Sequence, residues 1–252
     1  MKILIIGASG PIGNYLYKGL SKYKKYELLG ITSKKNKKQL TYYDFKNLKK
    51  LDKIIKNFEI IIFCTALSKF NECEKYKSKS KYLNVTLLSK IISSLKPQQK
   101  LIYLSTLGVK SNFFNKTPIY IKHKKIAERK IKKKLVNYFI VRPAKVFETI
   151  NIKHNNGVVT AYEDLKISFT SLKIILLCIN KIIIKNLIGS INLCSKDKIS
   201  YLSLYKKYFK YKKIDIKSSK LNNAFHFKEP LKHKFNKEFY NLRKSIKQII
   251  QP

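Results

Sequence analysis

Apolar and polar positions follow two alternating patterns along the first 147 residues of the chain. Short runs of continuous apolar residues predict buried strands at 2–7, 26–32, 40–44, 59–66, 100–106 and 138–144. The segments with apolar residues at helical spacing are 11–23, 47–58, 80–95 and 119–134. Continuous apolar strands separated by helices are typical of a parallel sheet that is covered on both faces. The sequence therefore predicts an α/β protein with a doubly wound parallel sheet.

The pattern weakens after Phe147, so we predict two regions, 1–147 and 148–252. Residues 149–166 are polar and predict a loop, and residues 218–236 are irregular. The remaining predicted elements are helices at 171–180, 202–210 and about 237–250, and a strand at 189–195. These short elements predict a small, partly irregular region over the carboxyl edge of the sheet, on the side where a substrate would bind.

The chain is strongly basic, with 55 Lys and Arg residues against 14 Asp and Glu residues and a formal net charge of +41. Such a charge suits a polyanionic partner or a phosphorylated ligand. However, only three residues are arginines, and arginine is the side chain best suited to guanine and to bidentate phosphate contacts. The lysines are spread from end to end, which favours compositional drift and predicts no specific nucleic-acid partner.

The distribution of cysteines, histidines and apolar residues indicates an intracellular setting. The four cysteines form no C-x-x-C pair, and the four histidines show no metal-ligand spacing. We therefore expect a reducing cytoplasm and no metal site. The most apolar later segment, 174–184, is interrupted by Lys181 and is shorter than the ~18–20 residues of a membrane span, so none is expected.

Three of the eight glycines follow the first predicted strand, in the segment GASGPIG. A strand, then G-x-x-G-x-x-G, then a helix is the dinucleotide-binding arrangement of the Rossmann fold, in which a pyrophosphate meets the helix N-terminus. A tight strand–helix connection without a ligand is the alternative, and the flanking strand and helix make it less favourable. The residues expected to hold the phosphates are Gly7, Ser9, Gly10, Pro11, Ile12 and Gly13.

Tyr120 and Lys124 form a Y-x-x-x-K motif on one face of the predicted helix 119–134. An ammonium near a phenol lowers the pKa of the phenol, which suits proton transfer near neutral pH. Tyr and Lys are so frequent here that the motif alone is weak, and an ordinary solvated helix face is the alternative. Its position one helix after a strand ending in Ser105 and Thr106 favours a catalytic pair.

Together these motifs resemble the extended branch of the short-chain dehydrogenase/reductase superfamily, which includes nucleotide-sugar epimerases, dehydratases and dTDP-4-dehydrorhamnose reductase-like proteins. The resemblance runs from residue 2 to 147 and more weakly to about 208. It implies that Tyr120 and Lys124 are catalytic, and that Lys124 also holds the nicotinamide ribose. It further implies that Thr106 binds the reacting substrate oxygen, with Ser105 as the alternative and a simple loop cap as the non-functional interpretation.

The resemblance also assigns cofactor contacts outside the glycine segment. An acidic residue at the end of the second strand binds the ribose of NAD in such proteins, whereas residues 32–35 are T-S-K-K. Hydroxyl and ammonium groups suit a 2′-phosphate, so NADP(H) is favoured over NAD(H). The cofactor residues implied here are Ser33, Lys34, Asp44, Phe45, Cys64, Thr65, Ala66, Asn84, Tyr120, Lys124 and Pro143.

NADPH use favours a net reduction, so the resemblance implies a reductase acting on a keto group of a nucleotide sugar. A nucleotide-sugar epimerase with tightly bound NAD and a non-catalytic NADPH-binding structural or regulatory protein stay open as alternatives. Relatives also commonly form homodimers through the helices that hold Asn84 and Tyr120.

Three departures from the family pattern bear on the reaction. Leu107 and Gly108 stand where dehydratases have Asp-Glu and 4-keto reductases have Asp-Tyr, so dehydration is not expected. Only fourteen residues separate Thr106 from Tyr120, which shortens the loop over the substrate. Glu148 also stands where the family usually has a glycine.

Overall fold

Seven parallel strands form the central sheet of the protein, in the order β7-β6-β5-β4-β1-β2-β3. The computed structural model describes residues 1–35, 37, 39–113, 116–150, 158–208, 215–219, 227–228, 239, 242 and 244–250. The sheet strands are β1 (Lys2–Ile6), β2 (Glu27–Thr32), β3 (Thr41–Tyr42), β4 (Ile60–Phe63), β5 (Lys100–Leu104), β6 (Tyr138–Pro143) and β7 (Gly189–Leu193). The order reverses beside β1, which pairs with both β2 and β4. This is the predicted doubly wound parallel sheet, with its switch point at β1.

Helices cover both faces of the sheet. The helices are α1 (Pro11–Leu20), α2 (Leu48–Ile55), α3 (Phe70–Lys75), α4 (Lys77–Lys81), α5 (Leu87–Ser94), α6 (Ile119–Lys134), α7 (Leu172–Ile184), α8 (Tyr201–Tyr208) and α9 (Ile246–Ile250). Apolar residues of α1 and α7 form one core with β1, β5 and β6, while those of α2, α5 and α6 form a second core on the opposite face. Because β1, β4 and β5 contribute to both cores, their continuous apolar sequences are buried on both sides. None of the described helices is long and apolar enough to cross a membrane.

The structure extends the predicted helix 80–95 towards the N-terminus. It begins with α4, passes through a π-helical turn at Tyr82–Thr86 and ends with α5. Helix α3 was not predicted, because only Phe70 and Cys73 supply its apolar face among charged neighbours. The π-helical turn places Asn84 in the interior, where it is fully buried.

The second region contains a small hydrophobic cluster of its own, formed by Ala161, Ile167, Phe169, Leu204 and Tyr205. The predicted loop at 149–166 is wrong in part, because the strand Val158–Tyr162 lies there and pairs in parallel with Asp215–Ser219. The predicted irregular segment 218–236 contains Phe227–Lys228, which pairs antiparallel with Asn112–Phe113. The final helix was predicted too long: α9 begins at Ile246, and most of 237–243 lies outside the described residues.

Candidate active site

The predicted site residues follow the carboxyl ends of neighbouring strands. Gly7 follows β1, Ser33 follows β2, Cys64 follows β4 and Ser105 follows β5, while Pro143 is the last residue of β6. Parallel strands end at the same edge of a sheet, so the fold brings these segments together beside the switch point. The candidate site is therefore this edge, with α6 supplying Tyr120 and Lys124.

Steric contacts explain two of the three glycines in the turn after β1. Gly7 has a φ of +87°, and a Cβ built there would lie 2.6 Å from Thr65 Oγ1 and 2.8 Å from Thr65 N. A Cβ on Gly13 would lie 2.3 Å from the carbonyl oxygen of Gly7. A Cβ on Gly10 would meet only the Gly7 carbonyl oxygen, at an ordinary 3.5 Å. The protein itself thus requires glycine at positions 7 and 13, whereas position 10 has room for a Cβ.

The N-terminus of α1 fits a phosphate group. Gly10 is its N-cap and provides no side-chain hydrogen bond, Pro11 occupies the first turn, and no acidic residue lies there. Backbone N–H groups at such an end have no partner within the helix, and the helix dipole favours an anion. Beside this turn, Thr65 Oγ1 is buried and has no hydrogen-bond partner among the described residues. The uncapped N-terminus of α1 at Gly10 and the unpaired Thr65 hydroxyl together fit a dinucleotide.

The segment after β2 is tied to the glycine turn by hydrogen bonds. The Thr32 hydroxyl donates to Ser9 Oγ at 2.6 Å, and the backbone N–H of Lys34 donates to Thr32 Oγ1 at 3.1 Å. Thr32 is buried, whereas Ser33 and Lys34 are exposed. The hydroxyl and ammonium predicted to meet a 2′-phosphate therefore lie beside the turn and open to solvent.

Asp44 and Phe45, the next two predicted cofactor residues, differ in their exposure to solvent. Asp44 is exposed and accepts a 3.0 Å hydrogen bond from the backbone N–H of Lys46. Phe45 is only 6% exposed and packs against Tyr43 at 5.8 Å between ring centroids. The Phe45 ring is thus mostly a core residue, and Asp44 is the member of the pair with accessible polar atoms.

The side chain of Asn84 holds the loop after β4 by hydrogen bonds. Its Oδ1 accepts from the backbone N–H of Leu67 at 3.2 Å, and its Nδ2 donates to the carbonyl oxygen of Leu67 at 3.0 Å and to Ser80 Oγ at 3.1 Å. Because these bonds use both ends of the amide, Asn84 holds the loop that carries Cys64, Thr65 and Ala66. Its position indicates support of that loop rather than a direct ligand contact.

Tyr120 lies at the start of α6 and is 8% exposed. It belongs to a small apolar cluster with Cys73 and Ile121, and its ring lies 5.9 Å from that of Phe70. Burial raises the pKa of its phenol above the ordinary value of 10.0, with a smaller contribution from Cys73. The lowered phenol pKa predicted from the sequence is therefore wrong for this structure.

Lys124, one turn further along α6, is 1% exposed. Its Nζ donates a 2.7 Å hydrogen bond to the carbonyl oxygen of Leu104 and lies 4.6 Å from the ring centroid of Tyr103 and 5.7 Å from that of Tyr120. Burial lowers the pKa of this ammonium to about 7, partly opposed by Cys64 and Glu128. The two motif residues do share one face, and that face points into the protein.

The structure distinguishes the two hydroxyls at the end of β5. Ser105 is 5% exposed and donates a 2.6 Å hydrogen bond to Glu128 Oε1. Thr106 is half-buried, and its Oγ1 accepts a 3.2 Å hydrogen bond from the backbone N–H of Gly108. The Thr106 oxygen thus caps the following turn and keeps its own proton for donation, so Thr106 rather than Ser105 is the accessible hydroxyl.

Other residues of the site were not singled out from the sequence. Tyr103 is fully buried on β5 beside Lys124, and its hydroxyl has no hydrogen-bond partner among the described residues. Phe70 and Cys73, on the unpredicted α3, pack on Tyr120. Cys64, which was predicted as a cofactor contact, is partly exposed, and burial of its thiol raises its pKa to about 12. No group of His, Cys, Asp and Glu in the described part of the chain could hold a metal ion.

Comparison with known proteins is consistent with this geometry. Residues 1–175 match the family model described as RmlD substrate binding domain. No curated protein sequence matches the chain significantly.

Solved structures share the fold at low identity. A dTDP-4-dehydrorhamnose reductase from Bacillus anthracis in complex with NADP is 22% identical, with a TM-score of 0.74 over 89% of this chain and 87% of that one. A hypothetical dTDP-4-dehydrorhamnose reductase from Sulfolobus tokodaii is 21% identical, with a TM-score of 0.75 over 91% and 90%. A UDP-glucuronic acid 4-epimerase from Bacillus cereus with UDP-glucuronic acid and NAD is 18% identical, with a TM-score of 0.71 over 100% and 93%. These likenesses confirm the predicted fold.

Proposed function

Since the chain belongs to the RmlD substrate binding domain family, as the match over residues 1–175 shows, we propose that it is an NADPH-dependent reductase of a nucleotide sugar. The observation that carries this proposal is the convergence of the glycine turn, Thr106, Tyr120 and Lys124 at one edge of the sheet. The solved dTDP-4-dehydrorhamnose reductases of the same fold favour a dTDP-4-keto sugar as the substrate. Residues 1–147 would bind the cofactor, and the part of residues 148–252 outside α7 and β7 would complete the substrate side.

The glycine turn and its neighbours would hold the dinucleotide. The N-terminus of α1 and the open face of Gly10 would bind the pyrophosphate, and the unpaired Thr65 hydroxyl would add a hydrogen bond. Ser33 and Lys34 would bind the 2′-phosphate of NADP(H), since both are exposed beside the turn. Such a cofactor, when bound, supplies a hydride to the carbonyl carbon of the substrate.

Tyr120 and Thr106 would control the carbonyl oxygen. Thr106 would donate a hydrogen bond to this oxygen and orient it, while Tyr120 would transfer a proton to the oxygen as it becomes a hydroxyl. The elevated pKa of Tyr120 keeps the phenol protonated near neutral pH, as the direction of a reduction requires. Its burial against Phe70 also limits access of water to the transferring proton.

Lys124 would act beside Tyr120 rather than on the substrate. Its ammonium is held between the Leu104 carbonyl and the face of Tyr103, so its direction is fixed. From this position it would stabilise the charge that develops on the Tyr120 oxygen. This role requires the protonated form, which a pKa of about 7 leaves sensitive to small changes in pH.

A nucleotide-sugar epimerase is the second candidate function. The UDP-glucuronic acid 4-epimerase structure with NAD spans the whole of this chain at a TM-score of 0.71. In addition, Leu107 and Gly108 replace the Asp-Tyr pair of 4-keto reductases. The same Tyr120, Lys124 and Thr106 would serve that reaction with NAD.

The amount of cofactor consumed per sugar converted distinguishes the reductase from the epimerase. Purified protein would be incubated with NADPH and dTDP-4-dehydrorhamnose, and with UDP-glucuronic acid and NAD, while nicotinamide absorbance and sugar products are followed. Consumption of one NADPH per sugar reduced supports the reductase. Interconversion of sugars without net cofactor consumption supports the epimerase. NADPH binding without either reaction supports a non-catalytic cofactor-binding protein and contradicts both enzyme proposals.

A further inference from the structure

A buried ion pair lies directly behind the candidate catalytic residues. Arg142, on β6, donates from Nε to Glu128 Oε1 at 2.8 Å and from a terminal nitrogen to Glu128 Oε2 at 2.7 Å. The side chains of Arg142 and Glu128 are only 4% and 8% exposed, whereas the other ion pairs that join described residues lie at exposed side chains. A bidentate pair of this kind has a fixed geometry as well as a strong attraction.

The same pair reaches two further strands. Ser105, at the end of β5, donates a 2.6 Å hydrogen bond to Glu128 Oε1. On the far side, Arg142 donates to Ser190 Oγ at 3.1 Å and to Asn192 Oδ1 at 3.3 Å, both on β7. The network thus joins α6 to three neighbouring strands, β5, β6 and β7.

The network holds the residues that the proposed reaction uses. Tyr120, Lys124 and Glu128 are spaced four residues apart on α6, and all three are buried on its inner face. Ser105 immediately precedes Thr106, so the Ser105–Glu128 bond joins the strand end with the accessible hydroxyl to the helix with the phenol and the ammonium. A relative displacement of these two segments would separate Thr106 from Tyr120.

We propose that Glu128 is a positioning residue that sets the distance between Thr106 on the β5 end and Tyr120 and Lys124 on α6, with Arg142 as the partner that fixes its carboxylate. This inference rests on the proposed function. The energetics agree with it. Burying a carboxylate and a guanidinium costs solvation energy, and a buried pair is often no more stabilising than apolar residues of similar volume. Stability alone therefore does not explain the pair, whereas a fixed geometry does.

A double variant distinguishes a role of the ion pair in positioning the catalytic groups from a role in stabilising the fold. Replacing one partner leaves a buried unpaired charge and is strongly destabilising, so the test uses Glu128→Leu/Arg142→Met, which removes both charges together. We expect this variant to fold and to bind NADPH as the wild type does. Its kcat for dTDP-4-dehydrorhamnose should fall about 100-fold with little change in KM, because a small displacement of catalytic groups costs about this much. The matched control is Lys2→Met/Glu27→Leu, which removes an exposed ion pair at the opposite edge of the sheet.

Two results of that assay would overturn the proposal. One is a folded double variant with wild-type kcat, since the network would then not position the catalytic groups. The other is a parallel loss of fold stability, NADPH binding and kcat, since the network would then only stabilise the protein. A wild-type enzyme that binds NADPH and reduces no keto sugar contradicts the proposed function instead, and the second measurement below then decides the positioning proposal.

The second measurement needs no turnover. The titratable and charged groups that face Lys124 are Cys64, Cys73, Tyr103, Tyr120 and Glu128. Cys64 and Glu128 favour the ammonium, so the Glu128→Leu/Arg142→Met variant, which removes the carboxylate together with its partner, should lower the pKa of Lys124 if the carboxylate is fixed against this stretch of the helix. The titration is followed by NMR of protein labelled at the lysine side-chain carbons, with the Lys124 signal assigned by its loss in Lys124→Met. A midpoint that moves to lower pH supports the proposal, and an unchanged midpoint overturns it.

Discussion

The ammonium of Lys124 donates a 2.7 Å hydrogen bond to the backbone carbonyl of Leu104, the last residue of β5. This bond places a charged group from α6 at the point where β5 ends and Ser105 and Thr106 follow. Lys124 is nearly inaccessible to solvent there, and its pKa is lowered to about 7. A residue held in this way costs stability when charged, which gives a direct pH test of its position.

The Lys124→Met variant should be more stable than the wild type near neutral pH. In the unfolded chain this lysine stays protonated up to about pH 10.4, whereas in the folded protein it loses its proton from about pH 7. The unfolded state therefore binds more protons in this interval, and the cost of burying Lys124 is full below pH 7 and declines as the pH rises to about 10. Urea unfolding from pH 6 to pH 10 should show the advantage of the variant shrinking with pH. A constant difference would contradict the burial of the charge, and Lys122→Met on the exposed face of α6 is the control.

Two alanine substitutions in the glycine turn should have different effects. Gly13→Ala places a Cβ 2.3 Å from the Gly7 carbonyl oxygen, so it should lower the free energy of unfolding by roughly 1–3 kcal/mol. Gly10→Ala meets nothing closer than 3.5 Å, so it should affect folding less and weaken NADPH binding instead. Urea unfolding and a fluorescence titration with NADPH measure both quantities. Equal NADPH affinity of Gly10→Ala and the wild type would mean that no phosphate binds on that face.

The selectivity for NADPH over NADH should depend on the segment after β2. The Ser33→Ala/Lys34→Ala variant removes the exposed hydroxyl and ammonium beside the turn. It should bind NADPH at least about 10-fold more weakly, because a single hydrogen bond to a charged group contributes about 1.5–3 kcal/mol, while NADH affinity should stay the same. Lys24→Ala, an exposed lysine near the opposite end of β2, controls for the general effect of charge. Equal loss of both cofactors would contradict 2′-phosphate recognition.

The sheet could be predicted from the sequence because each of its main strands is a continuous run of apolar residues. The residues Ile60–Phe63 are all buried apolar side chains, and the sequence pattern there has no helical period. By contrast, α3 is mostly charged, and its stability comes from packing of Phe70 and Cys73 on Tyr120, which lies about fifty residues away along the chain. The strand Val158–Tyr162 was missed for a related reason, since its partner Asp215–Ser219 is distant and polar.

The site was predicted in its location and less well in its details. Motif spacing identified the face of α6 that carries Tyr120 and Lys124, because a helix repeats every 3.6 residues. The orientation of Ser105 could not be predicted, since it depends on a hydrogen bond to Glu128 that itself depends on Arg142. The raised pKa of Tyr120 could not be predicted from the sequence either, because it results from burial by residues of α3 and the loop after β4.

The most direct test of the central claim compares wild type with Tyr120→Phe in the reduction of dTDP-4-dehydrorhamnose by NADPH. This substitution removes one oxygen from a buried ring and leaves the glycine turn intact, so we predict a loss of kcat of at least about 100-fold with unchanged NADPH binding. Tyr76→Phe, which alters an exposed tyrosine, should leave kcat unchanged. A Tyr120→Phe enzyme as active as the wild type would contradict the assignment of Tyr120 as the proton donor and the account built on it.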